Sequence, residues 1–322
     1  MAGPHPTSLT AGRLFYLCFH QPLTWLRDRR DTAEGRRGTA AMRAAAAALS
    51  PVALPEWGLR GPPCRFLTGA RFFHQTIFCA RSFEWACGTH VPLEIFTDGT
   101  LGPAEAAALR RALPRASIAD EAATLARLDR VLPAAHFPVL RAMRAGQPLM
   151  RKLLDAHAGL AGPALYLDSD MLFFGTPNVL RDWLRNPDGE FFMQQQGDAL
   201  VSPRDELEPV LGQALLPGVN SGIVAVQNDG FDWPALEVAA ARLTGSQRNH
   251  LWAEQTLFAW HLSRRHATPL STSDYCLCFD RHDVARDRPV LRHYVHKAKA
   301  LYAAREWRLW LELSRQPPAG RA

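Results

Sequence analysis

The chain has 322 residues, 47% hydrophobic and 21% charged, which excludes a disordered chain and suits one large α/β domain or two small ones. Its formal charge of +6 at pH 7 suits anionic partners such as nucleotide diphosphates, acidic glycans, membrane surfaces or nucleic acid. No zinc-finger, RNA-recognition or helix-turn-helix signature accompanies that charge, so nucleic acid is set aside.

Residues 1–60 read as an N-terminal helical extension. Leu14–Leu26 is aromatic-rich, and with the basic run that follows it could touch anionic lipid or equally form a helix packed on the domain that follows. It falls short of the ~20 apolar residues a bilayer span needs. It also lacks the basic start and small-residue cleavage site of a signal peptide, so the expected location is cytoplasmic, with peripheral membrane association as the variant. Asp31–Thr39 is polar, and Ala40–Leu49 is an Ala-rich helix ended by Pro51 and Pro55.

From residue 61 to 322 the pattern alternates strands and helices. Cys64–Thr68 is a short buried strand, Thr76–Cys87 a helix, Val91–Thr97 a strand stopped by Asp98-Gly99, and Pro103–Leu113 a helix with proline in its first turn. Leu125–Leu132 and Pro148–Ala158 are helical, and Ala164–Leu167 is a strand. Met171–Phe174 is apolar again, and Glu190–Gln195 and Gly222–Val226 are later strands. Trp233–Leu243 and Trp252–Ser263 are helices, Tyr275–Phe279 and Val290–Val295 the last strands, and Ala303–Leu313 a closing helix. Such alternation predicts a single Rossmann-like, mostly parallel central sheet flanked by helices. Ligands in such sheets sit beyond the carboxyl ends of the strands. The cysteines (Cys18, Cys64, Cys79, Cys87, Cys276, Cys278) lack zinc-knuckle spacing and read as core thiols.

The sharpest motif is Asp168-Ser169-Asp170, set between the apolar runs Leu165–Leu167 and Met171–Phe174. Two carboxylates that close, flanked by core, need a compensating charge. A divalent cation with hard oxygen ligands, Mn²⁺ or Mg²⁺, supplies it; an exposed acidic turn is the plain alternative. His293, at the end of the last strand, could complete the coordination, and Lys299 could place a point charge on a diphosphate. Asn220-Ser221-Gly222 offers hydrogen bonds to sugar hydroxyls, or is only a turn before a strand. Glu254-Gln255 on a helix could bind a sugar or simply face solvent.

In this order the four pieces resemble the GT-A glycosyltransferases, above all the retaining group of glycogenin and the bacterial lipopolysaccharide galactosyltransferases. That group carries D-x-D after an apolar strand, N-S-G, a D-Q or E-Q pair, and a closing H-F-x-G-x-x-K-P-W. The resemblance spans about Cys64 to Trp307. It implies a GT-A fold, Asp168, Asp170 and His293 as metal ligands, and Lys299 on the diphosphate. It also implies Asn220, Ser221, Glu254 and Gln255 against donor sugar or acceptor. Thr68, Gly69 and Asp98 would border the nucleoside, with Gly222 beside the sugar and Lys152 or Arg151 reaching the donor. The pattern's glycine is His296 here, and its Pro-Trp is Ala300-Leu301.

The expected activity is transfer of a sugar from a nucleoside-diphosphate sugar to a hydroxyl of a glycan, lipid or small molecule, with retention of configuration. Glu254, Gln255 and Lys299 are the candidate catalytic groups. A haloacid-dehalogenase-type phosphatase also uses strand–D-x-D, but that motif normally opens its domain, whereas two strand–helix units precede it here. A non-catalytic nucleotide- or glycan-binding protein is the other alternative.

Overall fold

The computed structural model describes residues 21–51, 54–55, 61–285 and 289–316, with the backbone alone for 21–28. The segment 14–20 of the aromatic-rich N-terminal run lies outside them. Among the described residues no helix is long and apolar enough to cross a membrane.

Seven strands form one sheet: β1 (Cys64–Thr68), β2 (Leu93–Thr97), β3 (Ser117–Ile118), β4 (Pro163–Leu167), β6 (Phe191–Gln194), β7 (Val219–Gln227) and β8 (Thr268–Pro269), in the order β3-β2-β1-β4-β7-β6-β8. Neighbours β3, β2, β1 and β4 run parallel, as do β6 and β8, while β7 runs antiparallel to both β4 and β6. The mostly parallel sheet expected from the sequence is present. It has a companion: β5 (Met171–Phe173), β9 (Tyr275–Cys278) and β10 (Leu291–Tyr294) form a second, three-stranded sheet. The last two strands of the chain therefore lie outside the main sheet: β10 pairs with β5, the continuation of the D-x-D strand, and β9 pairs with β10.

Both faces of the main sheet are covered, as its near-continuous apolar strands require. Along β7, Ile223 and Ala225 pack into one core with the helix Phe73–Cys87, whereas Val224 and Val226 pack into another with the helices Trp233–Arg242 and Ala253–Arg264. The alternation is the two-residue period of a strand.

The N-terminal segment differs from its expected form. One helix runs unbroken over Gln21–Ala48, through the polar stretch 31–39. It buries Met42 and Ala46 in the same core as β1 and β4, so this part of the extension is packed into the body of the protein. The closing helix is also reshaped. It begins as a single turn, Ala298–Leu301, widens into a π-turn over Tyr302–Glu306, and continues as Trp307–Leu313.

Candidate active site

Strands β1, β2 and β4 end on one edge, where the chain places Thr68, Asp98 and Asp168. Because β7 runs the opposite way, its beginning meets that same edge. Asn220, Ser221 and Gly222 thus lie inside β7 rather than in a turn before it. The register of β6 against β7 shifts between Phe192 and Met193, which pair with Val224 and Asn220, so Ser221 and Gly222 have no partner on β6. Asp168 and Asp170 bridge the two sheets. The Asp168 amide donates to the Gly222 carbonyl (2.8 Å) on the main sheet, and the Asp170 carbonyl accepts from the Tyr294 amide (2.9 Å) on the small one. Antiparallel pairing of β10 with β5 sets His293 opposite Met171, and so beside Asp170.

His293 Nε2 lies 3.0 Å from Asp170 Oδ1 and 4.0 Å from Asp168 Oδ2. One ligand atom from each of Asp168, Asp170 and His293 falls within 4.8 Å of the others. No other group of three or more His, Cys, Asp and Glu among the described residues is so arranged. Two ammonium groups balance the carboxylates, Lys152 Nζ at 2.9 Å from Asp168 and Lys299 Nζ at 2.8 Å from Asp170. Burial alone would raise the Asp170 carboxyl, but the His293 and Lys299 charges outweigh it and hold it well below the usual carboxylate range. Burial alone would lower Lys152, but Asp168 and Glu254 keep it raised.

Lys152 also donates to Ser221 Oγ (3.2 Å), and Ser221 Oγ donates to Glu254 Oε2 (3.0 Å). Glu254 Oε1 is buried without a hydrogen-bond partner, although the Lys152 ammonium stands 3.6 Å away. Burial pushes the Glu254 carboxyl up to about 7, against the pull of Lys152. Gln255 spends both ends of its amide on backbone, accepting from Ser221 N (3.1 Å) and donating to Ala199 O (2.7 Å).

These groups surround a cleft of ≈ 300 Å³. Thr68, Asp98, Lys152, Asp168, Asp170, Asn220, Ser221, Glu254, Gln255, His293 and Lys299 all line it. Gly69 and Gly222 act by being small. A Cβ on Gly69 would collide with the Asp98 carboxylate, and one on Gly222 would lie 2.6 Å from His293 Cε1. Arg151 does not line the cleft; it pairs with Glu121 (2.9 Å) and donates to the Thr97 carbonyl (3.0 Å). A wider groove, between the N-terminal helix and residues 301–308, holds no such cluster of ligands and acids.

Sequence reading missed several groups in or beside the cleft. Gln195, just past the end of β6, accepts from Asn220 Nδ2 (2.8 Å). The Tyr166 hydroxyl accepts from the Leu67 amide (3.2 Å), and its ring lies 5.2 Å under the Lys152 ammonium. Leu251 and Trp252 stand at the rim, 58% and 36% exposed. An apolar pair left exposed just before Glu254-Gln255 is the one signal that could have flagged the rim.

No family model matches the chain, and no curated protein matches its sequence. Among solved structures it is similar to the galactosyltransferase LgtC in complex with donor and acceptor sugar analogues. The identity is 14%, over 79% of this chain and 95% of that one, with a TM-score of 0.47. It is also similar to mouse xyloside xylosyltransferase 1 in its apo form, at 11% identity over 72% and 97% with a TM-score of 0.46. A third is core-mannan synthase A of Aspergillus fumigatus in its Mn/GDP form, at 9% identity over 66% and 77% with a TM-score of 0.42.

Proposed function

We propose that the chain is a GT-A-type, divalent-metal-dependent glycosyltransferase that moves a sugar from a nucleoside diphosphate to an acceptor hydroxyl with retention of configuration. The observation that carries this reading is the convergence of Asp168, Asp170 and His293 at the carboxyl edge of the sheet, with Lys299 on the open side. Two carboxylates and an imidazole, with ligand atoms this close together, form a donor set suited to Mn²⁺ or Mg²⁺. A bound cation would supply Lewis-acid polarisation of the departing diphosphate.

The chain's own groups do the rest. Thr68 and Asp98, with Gly69 behind them, border the nucleoside end of the cleft. Asn220 and Ser221 present hydrogen bonds to the donor sugar, held in place by Gln195 and Gln255. Lys152 holds Asp168, Ser221 and Glu254 in one cluster. Lys299, its side chain half exposed, offers its ammonium where phosphate charge develops. In retaining transfer the acceptor oxygen bonds to the anomeric carbon on the face the diphosphate leaves, and the acceptor proton passes to the departing phosphate oxygen. Glu254, already tied to Lys152 and Ser221, serves here to orient the sugar. The acceptor is a glycan, lipid or small molecule entering past Trp252.

The test is thermal shift with a panel of nucleoside diphosphates, with and without Mn²⁺. A Mn²⁺-dependent rise for one base, lost in Asp170→Ala, supports the reading. No rise for any nucleotide, with or without metal, overturns it.

A further inference from the structure

We propose that the N-terminal helix Gln21–Ala48 is a positioning element for Lys299, acting through Gly35 and Gly38. The inference rests on the role just given to Lys299.

Lys299 stands in the first turn of the closing helix, Ala298–Leu301, which runs on through the π-turn into Trp307–Leu313; a first turn leans on its surroundings because its amides lack intrahelical partners. The turn is reached through His296, whose φ of 46° is left-handed for a residue with a side chain. Such backbone persists only where its surroundings over-determine it. On one side the segment is held by β10. Tyr302 stacks on Tyr294 (4.8 Å between centroids, 8°), and Glu306 accepts from Arg292 (2.8 Å) and from the Tyr294 hydroxyl (3.2 Å).

The N-terminal helix holds the other side, backbone against backbone. A Cβ on Gly35 would lie 2.9 Å from Ala300 Cα, the residue next to Lys299. One on Gly38 would lie 2.7 Å from Ala304 Cα and would overlap the Ala303 carbonyl. Three residues apart, the two glycines share one helical face. The helix is itself anchored on both sides of them. Both carboxylate oxygens of Asp31 accept from Arg281 Nη2 (2.7 and 2.8 Å), and Met42 and Ala46 are buried in the core. Any side chain at Gly35 or Gly38 must push the segment 300–304 away from the helix. That shifts Lys299 relative to Asp170, 2.8 Å from it, while Asp168, Asp170 and His293 stay on their sheets.

The consequence is selective. Loss of the glycines should weaken binding of a diphosphate more than of a monophosphate, as loss of Lys299 itself should. The experiment is calorimetry in saturating Mn²⁺ with nucleoside di- and monophosphates of the five common bases. It compares wild type, Gly35→Ala, Gly38→Val, Lys299→Ala and the double variant Gly35→Ala/Lys299→Ala. Gly146→Ala, whose Cβ meets nothing within 4 Å, is the control. The expected result is a fall of about tenfold in the preference for diphosphate in Lys299→Ala. The glycine variants should show a fall in the same direction, and the double variant should lose no more than Lys299→Ala alone. Gly35→Ala decides the matter if Gly38→Val fails to fold. An unchanged preference in Gly35→Ala, or equal loss of mono- and diphosphate, overturns the inference. Binding of no diphosphate by wild type instead overturns the functional reading on which it stands.

Discussion

Gly222→Ala adds one methyl group at the tightest point of the candidate metal site. Its Cβ would lie 2.6 Å from His293 Cε1, 2.8 Å from Nδ1 and 2.7 Å from Asn220 Oδ1. Ordinary contact begins near 3.4 Å, so in a close-packed site the ring must retreat by roughly 1 Å. His293 is only 3% exposed and is fixed on β10 between β5 and β9. The retreat therefore displaces Nε2 from its present position 3.0 Å from Asp170. Overpacking of this kind costs about 1–3 kcal/mol. If the imidazole is a metal ligand, much of that strain appears in metal affinity, about tenfold for each 1.4 kcal/mol. Gly222→Ala should then bind Mn²⁺ about 10- to 100-fold more weakly by calorimetry, and the double variant Gly222→Ala/His293→Ala should regain part of the lost thermal stability. Wild-type Mn²⁺ affinity in Gly222→Ala, whatever its melting temperature, would refute the reasoning.

Lys152→Met removes the ammonium that competes for Asp168 at 2.9 Å, so Mn²⁺ affinity should rise; an equal or weaker affinity in the same titration would count against Asp168 as a ligand. Arg144 makes two bonds to the buried Asp155 carboxylate, 2.6 and 2.7 Å, and Arg144→Met should cost about 3–5 kcal/mol in urea unfolding because it strands that charge. His157, fully buried with Nδ1 on Asn228 Oδ1 (2.8 Å), has its pKa lowered by burial to about 3. The unfolded chain binds that proton near pH 6.5, so the stability it contributes is full above that pH and is lost as pH falls towards 3. By pH 5 the loss is about 2 kcal/mol; urea unfolding of His157→Phe should show a shallower decline between pH 7.5 and 5, and parallel curves would refute it.

The parts legible in the sequence were those whose chemistry and periodicity coincide. The D-x-D between two apolar runs had to be an element end, because neither run tolerates charge. What the sequence hid depends on strand direction and pairing. Nothing in Val219–Gln227 says that it runs antiparallel to β4, yet that direction is what carries Asn220 and Ser221 to the edge where Asp168 emerges. Likewise the pairing of β10 with β5, which sets His293 beside Asp170, joins residues more than a hundred positions apart. Gln195 meets Asn220 through the pairing of β6 with β7 beyond the register shift at Phe192 and Met193.

The extent and packed face of the N-terminal helix were hidden for a different reason. Its inward stripe is Gly35, Gly38, Met42 and Ala46, at helical spacing but with a single large apolar side chain. A search for hydrophobic periodicity passes over such a stripe, since glycine and alanine carry almost no hydrophobic signal. The physical content of the pattern is close approach rather than burial of large side chains. Glycine ordinarily weakens a helix by about 1 kcal/mol against alanine. Two of them within one turn of each other on the packed face make sense only if the contact they permit returns more than they cost. That contact is with residues 300–304, next to the lysine of the site. A helix that first reads as an accessory to the fold is thus joined, through two missing side chains, to the segment that carries Lys299 beside Asp170.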